Sequence, residues 1–358
     1  MYPFKADQPF VRNRWYIAAF ADEVSRKPIE RTFLGVPVAL YRKEDGVAVA
    51  MYGICPHRYY PLALGHVDGD ALVCGYHGFT FDADGKCIRI PAQSTGAGFC
   101  QPTYPVFERG PLIWIWMGDR DACDPALVPP YEDFGLDQPG WRESSHTYFH
   151  IAGRHQLLID NLMDLTHIAF LHTQIAVGGA FVKTKLEPEQ RAHSYQLRRP
   201  SRTPWTGFHE LLYTAAAKFE GLSDMASITD FYGPELIRTS GPITSAIEGL
   251  DRVPDAIGKM WILHGITPET DRTTHYFGLN TRDFRLEDAS LDEALRQATT
   301  GVRQQDVDAV EAIEARLEQA RSVQSELLSR ADAPADRVRK MIQAMLDHEA
   351  SPSPARAA

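Results

Sequence analysis

Short runs of β-branched and aromatic residues, broken by turn signals, dominate the chain up to about residue 120. Trp15-Tyr16-Ile17-Ala18, Val36-Pro37-Val38-Ala39-Leu40-Tyr41, Val47-Ala48-Val49-Ala50 and Leu112-Ile113-Trp114-Ile115-Trp116 each predict a strand. Pro37 confines its run to a sheet edge or a strand start. Glu44-Asp45-Gly46, Asp68-Gly69-Asp70 and Asp82-Ala83-Asp84-Gly85 are turns, and Phe79-Thr80-Phe81 before Asp84-Gly85-Lys86 predicts a hairpin. The stretch Arg120 to Pro139 is rich in Asp, Pro and Gly and predicts a linker. A strand-like Tyr148-Phe149-His150-Ile151 follows, then an apolar stretch from Leu157 to Leu171. Residues 183–285 again read mostly as β, with Tyr195-Gln196-Leu197 and Met260-Trp261-Ile262-Leu263 as examples. From Leu286 the apolar period changes to 3.6. Val307, Val310, Ile313 and Leu317 mark one helix, and Val338, Met341, Ile342 and Met345 a last one.

The pattern predicts an α+β protein of two domains: all-β over 1–122, then an antiparallel sheet with C-terminal helices over 123–349. The tail 350–358, Ser-Pro-rich, is expected to be disordered. A length of 358 residues agrees with two domains. A net charge of -10 argues against nucleic acid as a partner. No apolar run at the start resembles a signal peptide, and Leu112 to Met117 is too short to span a bilayer. With Cys87, Cys100 and Cys123 expected to be reduced thiols, the composition points to the cytoplasm.

Candidate chemistry begins at Cys55-Pro56-His57, followed after sixteen residues by Cys74-Gly75-Tyr76-His77-Gly78. The ligand types are mixed within each pair, whereas structural zinc sites more often pair like with like. Two thiolates and two imidazoles suit a Rieske [2Fe-2S] cluster, with Cys55 and Cys74 on one iron and His57 and His77 on the other. Neutral imidazoles in place of thiolates raise the potential at which the cluster accepts an electron. Pro56 and Gly75 fit the tight ligand turns, and Gly53 and Gly78 are expected to leave backbone N–H groups free to point at sulfide.

A second site is expected in Asp160-Asn161-Leu162-Met163-Asp164-Leu165-Thr166-His167-Ile168-Ala169-Phe170-Leu171-His172. Asn161, Asp164 and His167, three apart, would share one helical face. His172 would lie about 140° round from His167 on a regular α-helix; a π-type turn would bring them together, so a distorted or widened helix is predicted between them. Two His and one carboxylate form the facial triad of non-haem Fe(II) oxygenases. The carboxylate is assigned to Asp306, with Asp308 as the alternative; Asp164 is placed where it could hydrogen-bond a ligating His.

These segments resemble the oxygenase component of Rieske non-haem iron oxygenases, most closely the vanillate and dicamba O-demethylase group. Val11-Arg12-Asn13-Arg14-Trp15-Tyr16, His264-Gly265-Ile266-Thr267-Pro268-Glu269-Thr270 and Asp306-Val307-Asp308-Ala309-Val310-Glu311-Ala312-Ile313-Glu314 extend the likeness over nearly the whole chain. The resemblance implies a helix-grip (START-like) catalytic domain after the cluster domain, with one [2Fe-2S] cluster and one mononuclear Fe(II). It implies His167, His172 and Asp306 as iron ligands and Asn161 as a close neighbour of the iron. Asp164 would be the carboxylate that links an iron-ligand His to His77 of the next subunit in a head-to-tail homotrimer. His264 and Gln297 would line the substrate cavity. Gln297 stands where the dicamba enzyme has an aromatic residue, which implies a more open or more polar pocket. The implied reaction is O2-dependent hydroxylation of a small aromatic substrate, foremost O-demethylation of a methoxylated aromatic acid. N-demethylation, ring hydroxylation and cis-dihydroxylation share the same fold and metals.

No G-x-G-x-x-G after a strand and no C-x4-C-x2-C run occurs, so electrons must come from a separate ferredoxin or flavin reductase. Arg58, Lys86, Arg89 and Arg109 are candidates for its docking patch. Two readings from other classes compete: a Rieske electron carrier with two irons per chain rather than three, and a zinc-stabilised binding protein without sulfide.

Overall fold

The structure is a computed structural model that describes residues 3–4, 9–93, 98–173, 180–204, 211–212, 222–239, 243–244 and 256–351. Most of the expected tail, 352–358, lies outside the described residues. Contacts divide the chain into two compact units. One is Phe10–Val128 with Thr267–Asp271; the other is Met1–Pro9, Pro129–Ile266 and Arg272–Ala358.

The first unit is built from β1 (Trp15–Phe20), β2 (Ile29–Phe33), β3 (Val36–Arg42), β4 (Ala48–Tyr52), β5 (His66–Asp68), β6 (Ala71–Val73), β7 (Thr80–Phe81), β8 (Cys87–Arg89), β9 (Thr103–Tyr104), β10 (Val106–Arg109) and β11 (Leu112–Trp116). They form three antiparallel sheets, ordered β1-β11-β10, β2-β3-β4-β9 and β5-β6-β7-β8. Pro37 is the second residue of β3, which is an interior strand; the strand start is what accommodates it.

Alternation along β3 and β4 explains the layering, because successive side chains in a strand point to opposite faces. Val38, Leu40, Ala48 and Ala50 enter one core with Tyr16, Ile113 and Ile115. Ala39, Tyr41, Val49 and Met51 enter another with Leu62, Leu72, Phe81, Cys55 and Cys74. Both cysteines are therefore anchored in the second core, and their loops inherit its rigidity.

The second unit holds a nine-stranded antiparallel sheet. Its strands are β12 (Arg142–Ile151), β13 (Glu187–Gln190), β14 (Tyr195–Pro204), β15 (Leu222–Gly233), β16 (Leu236–Thr239), β17 (Ile243–Thr244), β18 (Ala256–Gly258), β19 (Met260–Pro268) and β20 (Thr274–Arg282). The main order is β12-β20-β19-β16-β15-β14-β13. Among the described residues its helices include α1 (His155–Met163), α2 (Ile168–Leu171), α3 (Ala180–Lys183), α4 (Ala289–Val323) and α5 (Ala333–Ala350). The Asp288 side chain caps α4 by accepting from Leu291 N–H. Along α4 the buried positions are Leu291, Leu295, Thr299, Arg303, Asp306, Val307 and Val310, one face of a helix. Asp306 thus reaches the interior although it is ionisable. No described helix is long and apolar enough to cross a membrane.

Candidate metal centres

The two Cys/His loops have the same backbone form. Cys55 N–H donates to Tyr60 O and Cys55 O accepts from Tyr59 N–H; Cys74 N–H donates to Phe79 O and Cys74 O accepts from Gly78 N–H. The fifth residue of each loop is left-handed, Tyr59 at φ 57° and Gly78 at φ 70°. The expectation of free N–H groups at Gly53 and Gly78 is corrected: Gly53 N–H donates to Pro37 O and extends the β3–β4 pairing, and Gly78 N–H donates to Cys74 O and closes its turn. At Gly75 a Cβ would come within 2.8 Å of Leu64 O, so a small residue lets the second loop pack against the chain leaving the first.

Cys55 and Cys74 are buried and not disulfide-bonded, while His57 and His77 are exposed with ring centroids 4.6 Å apart. Burial pushes the Cys55 thiol up to about 11, so it is a thiolate at neutral pH only when a metal displaces its proton. Buried thiols on one side and paired, water-facing imidazoles on the other fit a cluster whose histidine-bound iron lies at the surface.

Tyr59 is 81% exposed and holds a backbone conformation that costs a non-glycine residue about 1–2 kcal/mol. Tyr59→Gly is expected to stabilise this unit by up to about 1 kcal/mol, since part of the gain is offset by unfolded-chain entropy. A melting temperature of the cluster-loaded protein that fell would show that the tyrosine ring contributes more than its backbone costs.

The second site forms where a helix breaks. α1 ends at Asp164, which is extended at φ -116° and ψ 96° and caps the next turn, Leu165–His167, by accepting from Thr166 N–H. α2 follows, and His172 is its non-helical C-cap, with its N–H bonded to Ile168 O. Of the distorted or widened helix expected between the histidines, the widened, π-type form is corrected: Ile168–Leu171 is ordinary α, and the distortions lie at Asp164 and at His172 itself. Asn161, Asp164 and His167 accordingly do not share a continuous helical face. The break brings the imidazoles together, with ring centroids 5.1 Å apart.

His167 Nδ1 lies 2.6 Å from Asp164 O, and His172 Nδ1 lies 2.8 Å from Gln305 Oε1. A carbonyl oxygen only accepts, so each Nδ1 carries the proton and each Nε2 is left with a lone pair. Both Nε2 atoms face Asp306 Oδ1, at 3.4 Å from His167 and 3.0 Å from His172. Three electron-pair donors, all within 4.8 Å of one another, converge on one point. That convergence is favourable only around a proton or a metal cation, and two imidazoles with one carboxylate are a donor set for Fe(II). When a proton rather than a metal occupies that point, the Nε2–H of a protonated His167 or His172 donates to Asp306; burial works against charge on Asp306, but these hydrogen bonds outweigh it and hold the carboxyl well below its ordinary range. Burial likewise opposes protonation of His172, yet Asp306 raises its pKa above the ordinary value.

Asn161 Nδ2 donates to Asp306 Oδ1 at 3.1 Å, and Asn161 Oδ1 is buried with no partner among the described residues. Asp308, the alternative carboxylate, is exposed on α4 and accepts from Gln304. Asp164 is half-buried and, with His167, lines a cavity of about 380 Å3 between α1, α4 and α5. Gln305, which orients His172, had no signal in the sequence beyond its place beside Asp306.

The two expected pocket residues fare differently. His264 is buried on β19, with Nδ1 2.5 Å from Tyr276 Oη and Nε2 2.8 Å from Thr239 Oγ1. Burial holds its pKa down at about 3, so it is a neutral hydrogen-bonding group. Gln297 is corrected: it is exposed on α4 and donates to Glu293 one turn back. The helix turns its neighbours Leu295 and Thr299 inward instead.

The model of the vanillate O-demethylase oxygenase C-terminal domain matches residues 151–348, and that of the Rieske [2Fe-2S] domain matches residues 14–105. A putative toluene-4-sulfonate monooxygenase system iron-sulfur subunit from Comamonas testosteroni is 37% identical over 84% of this chain and 87% of its own. The oxygenase component of dicamba O-demethylase from Stenotrophomonas maltophilia is 35% identical over 96% of this chain and 99% of its own. A crystal structure of dicamba monooxygenase bound to 3,6-dichlorosalicylic acid superposes with a TM-score of 0.85 at 31% identity, covering 96% of this chain and 99% of that one.

Proposed function

The chain belongs to the Rieske non-haem iron oxygenases, in the group of the vanillate and dicamba O-demethylase oxygenase components, and from that premise we propose that it O-demethylates a methoxylated aromatic acid. It is an oxidoreductase that carries a Rieske cluster and a mononuclear iron and is one component of a multicomponent system. The observation that carries the proposal is the convergence of His167, His172 and Asp306. Cys55, His57, Cys74 and His77 would hold the cluster, and those three residues the single iron. When bound, the cluster passes on single electrons and the iron activates O2 for insertion of one oxygen atom into a C–H bond.

The residues of the chain supply geometry and proton control. Asp164 O and Gln305 fix the tautomers of His167 and His172, and Asn161 orients Asp306. Overall, a methoxyarene, O2, two electrons and two protons give a hemiacetal and water; the hemiacetal then breaks its C–O bond to release formaldehyde and a phenol. Electrons come from a ferredoxin or flavin reductase, for which the exposed Arg58, Lys86, Arg89 and Arg109 offer positive charge.

The reading includes a head-to-tail homotrimer in which Asp164 joins His167 to His77 of the next subunit. The placement of Asp164 and His167 on an open cavity supports it, because a bridge between subunits must be reachable. Asp164→Asn is expected to keep both metals and to lower coupled turnover by about 10–100-fold, the range for partners that orient metal ligands. Unchanged coupling of O2 uptake to product would remove the bridge.

Formaldehyde release across a panel of methoxybenzoates, with a surrogate reductase and about three irons per chain, tests the whole reading. A fully reduced, iron-replete enzyme that consumes O2 with other aromatics and releases no formaldehyde would sink the demethylation.

A further inference from the structure

Arg303 is buried on α4, one turn before Asp306, at 2% exposure. Its Nη1 donates to Thr147 Oγ1 at 2.8 Å and to Thr299 Oγ1 at 3.4 Å, and its Nη2 donates to Asn280 Oδ1 at 2.9 Å. All three acceptors are neutral. Nε is buried and has no hydrogen-bond partner among the described residues, and no carboxylate there lies within ion-pair distance. Three other buried arginines of this unit do meet carboxylates: Arg154 pairs with Glu314, Arg238 with Asp230 and Arg282 with Asp292.

The chain makes room for this unpaired charge. A Cβ on Gly278 of β20 would lie 2.4 Å from Arg303 Cζ and 2.5 Å from its Nε, so only glycine lets the guanidinium lie against that strand. Its electrostatic neighbours belong to the inner site. The Tyr276 hydroxyl, a further hydrogen-bonding neighbour, and Asp306 both act on Arg303, and Arg303 in turn depresses His264. Asp306 cannot neutralise it, because that carboxylate faces the two histidines. Counting charges, a divalent metal and one carboxylate leave +1, and Arg303 adds another +1 in a buried region. A buried positive pair of this kind is costly unless an anion joins it.

We propose that Arg303 is a specificity-determining residue that receives the anionic head group of the substrate, with its Nε as the open donor. The inference rests on the reading of the site as an oxygenase for aromatic acids, and it names the group that selects the acid. A guanidinium fork accepts a planar carboxylate or a sulfonate alike, and Thr147 and Asn280 hold the fork in place.

The test is equilibrium binding to the anaerobic, iron-loaded protein, measured by calorimetry with 3-methoxybenzoate, toluene-4-sulfonate and uncharged 3-methoxybenzamide. The wild type is expected to favour the two anions over the amide by about 30-fold or more, and Arg303→Gln to abolish that preference while binding the amide unchanged. Arg303→Lys should restore part of it. Carboxylate and sulfonate bound equally would mean a fork that reads charge alone; one bound without the other would mean that shape also selects, and either result supports the anchor. A wild type that binds acid and amide equally would overturn it. So would an Arg303→Gln protein that keeps its melting temperature and still prefers the acids. Failure of the demethylation reading is distinct: anion binding would stay Arg303-dependent while no formaldehyde appeared. If instead formaldehyde formed with unchanged KM in Arg303→Gln, the anchor would fall and the demethylation would stand.

Discussion

Asp306→Asn is expected to yield a folded protein with an intact cluster spectrum, about two irons per chain instead of three, and turnover reduced by more than about 100-fold, the upper end for residues that only orient ligands. The carboxylate is the only anion among the three converging donors. Without it, Fe(II) would face two neutral imidazoles and an amide oxygen, a set that offers no charge compensation. The amide oxygen, standing where Asp306 Oδ1 now is, would still accept from Asn161 Nδ2, so the change removes the charge and keeps that hydrogen bond. The substitution removes no packing volume, so the helix face that buries Asp306 should persist. Asp308→Asn is the internal control. Asp308 is two residues on, exposed and bonded to Gln304, and its loss should leave three irons and full activity. Iron analysis with the cluster absorbance as a reference decides the matter. Three irons retained in Asp306→Asn would refute the triad.

Much of this arrangement is legible in the sequence, for physical reasons that differ between parts. The cluster loops are readable because ligand type and spacing are local, and C-x-H with C-x2-H restricts the metal directly. The strand core is readable because period-two alternation in β3 and β4 sorts side chains into two cores. What escapes is set by backbone breaks and by contacts distant in sequence. The spacing of His167 and His172 signals that a regular helix cannot hold both, but not how the chain solves this. A π-turn and a break at Asp164 answer the same steric demand, and the choice depends on Asp164 capping the next turn. Gly53 and Gly78 illustrate a second limit. Small residues in ligand loops can serve either a cluster or the backbone around it, and the structure uses the Gly78 N–H for its turn and the Gly53 N–H for a bond to Pro37 O of β3. Gln297 shows a third. A likeness of position assigns it to the pocket, but the face of α4 is decided by Leu295 and Thr299, which turn inward and leave Gln297 outside.

Replacing Arg154 with methionine is expected to destabilise the second unit by about 3–5 kcal/mol, the cost of stranding one partner of a buried ion pair. Arg154, at the start of α1, donates from Nε and Nη2 to Glu314 on α4 at 2.7 and 2.8 Å, and the two side chains are 3% and 8% exposed. Burial opposes charge on Glu314, and the contacts with Arg154 overcome this and lower its pKa. Methionine fills similar space but leaves that carboxylate buried without its main partner. A drop on the order of 10 °C in the melting transition should follow. The double variant Arg154→Met, Glu314→Leu should recover most of the loss, because removing both charges also removes their desolvation cost. The effect reaches the metal. Ala152 N–H also bonds Glu311, and a Cβ on Gly153 would lie 2.7 Å from Val310 Cγ1, so this corner seats the β12–α1 junction on α4. α1 carries Asn161 and α4 carries Asp306, so loosening the corner should weaken iron retention in the single variant before it unfolds the chain. A single variant that melted like the wild type and held iron as tightly would show that the pair contributes nothing beyond its own desolvation.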